Sequence, residues 1–171
     1  MATLREYFAK DGSNALTIHQ TLNISDSDGS VLMEVVGRLH LDFVSNAKYV
    51  SFYIPPRHGV ECPELLVLRS VNEILRWHET TQVWVGFGSE RISAFDLVFT
   101  GRIYLYSEQP VRDEHRVMIE TQSAQLEHKI IFRSEEYVAE RNRWEKPLAF
   151  ISHDSRDKAI AEKLEIGRAH V

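Results

Sequence analysis

Arg38-Leu39-His40-Leu41-Asp42-Phe43, joined by Val44-Ser45-Asn46-Ala47-Lys48 to Tyr49-Val50-Ser51-Phe52-Tyr53-Ile54 and closed by Pro55-Pro56, sets the architecture of this chain. Leu39, Leu41 and Phe43 fall on one side of the first segment, and Arg38, His40 and Asp42 on the other. The second segment repeats the pattern, with Val50, Phe52 and Ile54 against Tyr49, Ser51 and Tyr53. A period of two is the strand period, and the polar partners of the first segment predict one face open to water. Proline cannot donate to a ladder, so Pro55-Pro56 ends the second strand, and Ser45-Asn46-Ala47 predicts a hairpin between the two.

The first of these strands extends back to Val31, giving a long strand to Val44. Before it, Ala15 to Ile24 is rich in β-branched and apolar residues and leads into Ser25-Asp26-Ser27-Asp28-Gly29-Ser30. The short side chains of that run hydrogen-bond their own backbone, so the pair predicts a strand and a turn. Leu4, Tyr7 and Phe8 have helical spacing behind a Thr3 cap, predicting a short helix that Asp11-Gly12-Ser13-Asn14 breaks.

Beyond the proline pair, Pro63 opens the one long helical segment, Glu64 to Trp77, with Leu65, Leu68, Val71, Ile74 and Leu75 apolar. Gln82 to Phe87, Phe95 to Tyr106, Arg116 to Thr121 and Leu126 to Phe132 read as four more strands. Residues 1–134 are thus expected to form a strand-rich α+β domain of about seven strands and one long helix. Glu135 to Lys146 reads as a charged connector helix, ended by Pro147.

Composition bounds the function. The 171 residues are 43% hydrophobic and 26% charged, enough for a core and unlike a disordered chain. A formal charge of -5 lacks the positive field a phosphate backbone requires, so nucleic-acid binding is disfavoured. Cys62 is the sole cysteine, which excludes an intramolecular disulfide and a CxxC motif and fits a reducing compartment. The sequence shows neither a membrane-length apolar run nor a secretory signal, so a cytoplasmic location without membrane contact is expected.

Several motif candidates read as structure. Gly86-Phe87-Gly88-Ser89-Glu90-Arg91 lacks the Gly-Lys-[Ser/Thr] ending of a phosphate loop and reads as a strand-end turn. The eight histidines show no HxxxH or HxH spacing, so no metal site is expected. Arg102, Tyr104 and Tyr106, which share a strand face, suit a half-exposed sheet better than a base-stacking groove. Cys62 has no motif around it and reads as a small buried hydrophobe or a helix-start residue.

After Pro147 the sequence changes character. Leu148-Ala149-Phe150-Ile151 is apolar without alternation, as in a parallel strand buried on both faces. Ser152-His153-Asp154-Ser155 then leads into a helix from Arg156 to Leu164. The loop lies at the carboxyl edge of such a sheet, where a helix N-terminus offers N–H groups to a phosphate. Ser152 and Ser155 read equally well as ligand donors and as helix caps, His153 as a loop residue, and Asp157 as a first-turn helix stabiliser.

Phe150-Ile151-Ser152-His153-Asp154-Ser155-Arg156-Asp157 resembles the opening of a bacterial TIR (Toll/interleukin-1 receptor) domain, departing from it at Asp154, where a small residue is commoner. The resemblance covers Pro147 to about Leu164. It implies a signalling or antiphage defence protein in which Phe150, Ser152, His153, Ser155 and Asp157 line a nucleotide-facing loop. It also implies a parent that either cleaves NAD or acts as a scaffold, assembling as a homo-oligomer through its N-terminal and TIR domains, with NAD a substrate and no cofactor required. The glutamate that such enzymes use stands on a helix well downstream. Glu162 and Glu165 do not match it, so no catalytic residue carries over and the 171-residue chain is expected not to be an enzyme.

Residues 147–165 therefore read as a truncated TIR start. The last six, Ile166-Gly167-Arg168-Ala169-His170-Val171, match one reading frame of a common sequencing adapter and are expected to be adapter-derived. The N-terminal domain is expected to be a non-catalytic module that senses or oligomerises and so brings TIR domains together; the rival reading makes it itself a small-molecule or nucleotide-binding module, or an enzyme, which a pocket with convergent polar groups favours, whereas a flat apolar patch favours assembly.

Overall fold

In the computed structural model, which describes residues 2–10, 16–56, 59–85 and 90–144, the chain begins with helix α1, Leu4–Lys10. Thr3 and Glu6 cap it reciprocally: Glu6 N donates to Thr3 Oγ1 at 3.2 Å and Thr3 N to Glu6 Oε2 at 2.7 Å. Strands β1 (Leu16–Ser25), β2 (Val31–Asp42) and β3 (Ala47–Ile54) follow as an antiparallel meander. Its turns are made by aspartates: Asp26 Oδ1 accepts from Asp28 N and Ser30 N, and Asp42 Oδ1 accepts from Val44 N and Ser45 N.

The segment expected as one long helix is two, α2 (Pro63–Leu68) and α3 (Val71–Trp77). At the junction, Arg69 N and Ser70 N bond three residues back, to Leu66 O and Val67 O, and this tightening ends α2 without a proline or glycine. Strands β4 (Gln82–Val85) and β5 (Glu90–Ser93) form a separate two-stranded hairpin; β5 has no counterpart in the expected strands. A single 3₁₀ turn, Ala94–Asp96, leads into β6 (Val98–Ser107).

The strand expected over Arg116–Thr121 is part of helix α4, Asp113–Gln125. Val117, Met118 and Thr121 suggest a strand by type, but burial falls on His115, Ile119 and Ser123, four residues apart, while Val117 and Met118 stay exposed. Asp113 and Glu114 supply the acidic first turn. Strand β7 (Lys129–Arg133) and helix α5 (Glu135–Trp144) complete the described chain.

The main sheet has the order β1-β2-β3-β6-β7. Short turns make β1, β2 and β3 antiparallel, whereas the helical crossovers make β6 parallel to β3 and β7 parallel to β6. One face carries Leu39, Leu41, Val50, Phe52, Ile103 and Leu105 beneath Val67, Val71 and Ile74 of α2 and α3. The other carries Tyr53 and Tyr106 beneath Leu4 and Phe8 of α1 and Val138 of α5.

This second layer overturns the expected wet face. Arg38 and His40 are 4% and 0% exposed. Arg38 donates to Phe8 O and, at 3.2 Å, to Ala9 O, satisfying carbonyls at the end of α1, and its guanidinium lies 4.6 Å from the Phe8 ring centre. His40 Nε2 shares a 2.7 Å hydrogen bond with Ser51 Oγ, and its ring stacks on Tyr49 at 4.4 Å. The face of Tyr104 and Tyr106 is likewise covered, with Tyr106 packed on Phe8. The expected connector helix is itself part of this packed layer: Val138 is 4% exposed and Asn142 Nδ2 donates to Ala2 O.

Candidate ligand-binding crevice

Strands β6 and β7 run parallel and end side by side, with Tyr106 in register with Arg133. From Ser107 the chain passes to α4, which packs beside α2 on one face. From Arg133 it passes to α5, which packs beside α1 on the other. Where neighbouring parallel strands send their connections to opposite faces, a crevice opens beyond their carboxyl ends, and ligands of open α/β sheets bind there. A cavity of about 300 Å³ occupies this position, lined by residues of β6, α4, β7 and α5.

Two arginines line it. Arg133 lies with its guanidinium 3.9 Å from the Tyr137 ring centre and 5.4 Å from that of Tyr104, and Arg116 lies 4.7 Å from Phe132. Neither makes an ion pair with a described residue, and Arg133 Nε is buried without a hydrogen-bond partner among them. The rings hold the guanidinium planes while leaving donors for a ligand. Glu136 and Glu140, one turn apart on α5, also line the cavity, and Ser107, Gln109 and Ser134 contribute polar groups.

Behind the crevice lies a buried carboxylate. Glu64, 3% exposed in the first turn of α2, accepts from Ser107 Oγ at 2.5 Å, and the same hydroxyl lies 3.0 Å from Gln109 O. One proton thus stands between two acceptors, with Glu64 the nearer. Tyr53 donates its hydroxyl to Glu108. Burial, reinforced by Glu108, pushes the Tyr53 hydroxyl up to about 12, so it remains a donor at neutral pH.

Cys62 Sγ lies 3.9 Å from Glu64 Oε2, and burial, opposed by the Leu65 backbone and reinforced by Glu64 and Glu61, pushes its thiol up. It is a protonated, poor nucleophile. His115 accepts from Arg112 through Nε2 at 3.0 Å, which assigns its proton to Nδ1, because a guanidinium only donates. Among the described residues no group of three or more His, Cys, Asp or Glu side chains is placed to hold a metal ion.

No family model, curated protein or solved structure matches this chain. Phe150, Ser152, His153, Ser155 and Asp157 lie outside the described residues, as do residues 86–89 of the glycine-containing turn. Arg116, Arg133, Glu136 and Glu140 escaped sequence reasoning. The signal that finds them is the strand-helix-strand-helix order of residues 98–144, which reading Arg116–Thr121 as a strand conceals. Among the described residues no helix is long and apolar enough to cross a membrane.

Proposed function

We propose that residues 2–144 are the ligand-sensing part of a TIR-type signalling protein. They bind a small anionic molecule that carries at least one hydrogen-bond donor. The observation that carries this reading is the crevice at the carboxyl ends of β6 and β7, lined by two ring-held arginines and two glutamates. The volume of about 300 Å³ suits a small molecule rather than a polymer. One wall, with Glu136, Tyr137 and Glu140, belongs to α5, the helix that precedes the TIR-like segment Phe150 to Asp157 in sequence. A ligand bridging the strand ends to α5 therefore acts on the element leading to the effector, and shifts any equilibrium in which α5 takes part.

The test is a melting-temperature measurement on the full chain with AMP, NAD and malate as probes. At least one raises the melting temperature, and Arg133→Ala combined with Arg116→Ala abolishes that rise. The absence of a rise with all three, or an equal rise in the double variant, overturns the reading. The TIR part rests on the resemblance alone, with NAD the substrate that the resemblance implies.

A further inference from the structure

We propose that β1 pairs with β1 of a second copy of this chain, antiparallel, about a two-fold axis through Gln20. Strand β1 ends the sheet, and among the described residues it pairs only with β2. It is ten residues long and keeps regular register with β2 from Leu16 to Ile24. Exposed strand edges are ordinarily blunted by charge, proline, bulges or brevity. The opposite edge follows that rule, since β7 has five residues and carries Lys129 and Arg133. Strand β1, Leu-Thr-Ile-His-Gln-Thr-Leu-Asn-Ile-Ser, contains no Asp, Glu, Lys, Arg or Pro.

The order of its side chains is self-complementary about Gln20. On the core face the axis sets Leu16 opposite Ile24 of the second copy, Ile18 opposite Leu22, and Gln20 opposite Gln20. On the other face it sets Thr17 opposite Asn23 and His19 opposite Thr21. Apolar residues meet apolar ones and polar residues meet polar ones, without a like-charge contact. A one-residue slip would turn the apolar set of one copy to the polar face of the other, so the alternation itself selects this parity of register.

Two local features are resolved by the pairing. Leu16, 44% exposed at the end of the core face, gains an apolar neighbour in Ile24. Gln20 Oε1 is buried with no hydrogen-bond partner among the described residues, and the primary amide of the second Gln20 offers the N–H that it needs. Because the charged β7 edges remain outermost, association stops at two copies, and one sheet runs through both.

Sedimentation of the full chain over a concentration series tests this. A monomer–dimer equilibrium is expected, and Gln20→Glu, which sets two carboxylates against each other at the axis, weakens it about tenfold or more. In a Cys62→Ser background, Gln20→Cys forms a covalent dimer on mild oxidation, because directly opposed Cα atoms lie about 4.5–5.5 Å apart. Asn23→Cys does not, because its two copies lie roughly 20 Å apart at about 3.3 Å per residue. A monomer at every concentration, growth beyond the dimer, or equal cross-linking of the two cysteine variants overturns the proposal. The cross-linking pair decides the matter even where Gln20→Glu disturbs folding.

Discussion

The guanidinium of Arg133 lies 3.9 Å from the ring centre of Tyr137, which ties the last residue of β7 to the first turn of α5. The same ring meets Tyr7 of α1 edge-on at 6.4 Å, so one side chain links a strand end and two helices. Tyr137→Leu is expected to lower stability by about 1 kcal/mol through the lost cation–π contact, while Tyr137→Phe leaves it nearly unchanged. Urea midpoints of the two variants check this, and equal midpoints would show that the contact is energetically silent.

At Gly37 a side chain of α3 lies close against the sheet. A Cβ there would stand 2.3 Å from Cδ1 of Ile74, a fully buried side chain that would have to shift, and 3.2 Å from Leu22 Cδ1. Gly37→Ala is expected to cost about 1–3 kcal/mol by overpacking, although alanine suits a strand better than glycine. Gly37→Ala combined with Ile74→Val should recover part of the loss, measured by chemical denaturation.

Arg38 closes the end of α1 by donating to Phe8 O and Ala9 O. Arg38→Met keeps much of the buried stem and removes the charged donors. A loss of about 2–3 kcal/mol is expected, concentrated in α1. Amide hydrogen exchange locates it: the α1 amides should lose protection while those of β6 keep theirs.

Alkaline stability reports on Tyr53. Its hydroxyl titrates near 10 when unfolded and is pushed up to about 12 in the fold, first by burial and then by Glu108. A raised folded value means that the contribution is complete below pH 10 and is lost as pH rises from about 10 to about 12. Tyr53→Phe should flatten that part of the stability profile, read as the difference between the two proteins at each pH.

Acid has the opposite sign for the histidines. Burial lowers His19, His78 and His128 below their ordinary 6.5, with Arg38 adding to the effect at His19. Their contribution is therefore complete above pH 6.5 and falls as the pH drops through the lowered folded values. His128→Gln should reduce the slope of stability against pH on the acid side of 6.5, and an unchanged slope would show that its burial carries no linkage.

Local pattern determined the antiparallel meander, because alternation over Arg38–Phe43 and Tyr49–Ile54 and the short aspartate-bearing turns are properties of neighbouring residues. The same holds for α1, whose Thr3–Glu6 capping is complete within four residues. Tertiary structure alone decided what covers each face. Arg38 reads as solvent-facing until α1, distant in sequence from β2, supplies the carbonyls that pair with it and the Phe8 ring beside its guanidinium, and His40 and Ser51 are buried on the same face. Helix α4 was hidden for a related reason: its buried stripe of His115, Ile119 and Ser123 is only one-third apolar, and Val117 and Met118 point to water. The crevice depends on β6 and β7 lying side by side and on α4 and α5 leaving to opposite faces, a relation between elements that no stretch of sequence contains.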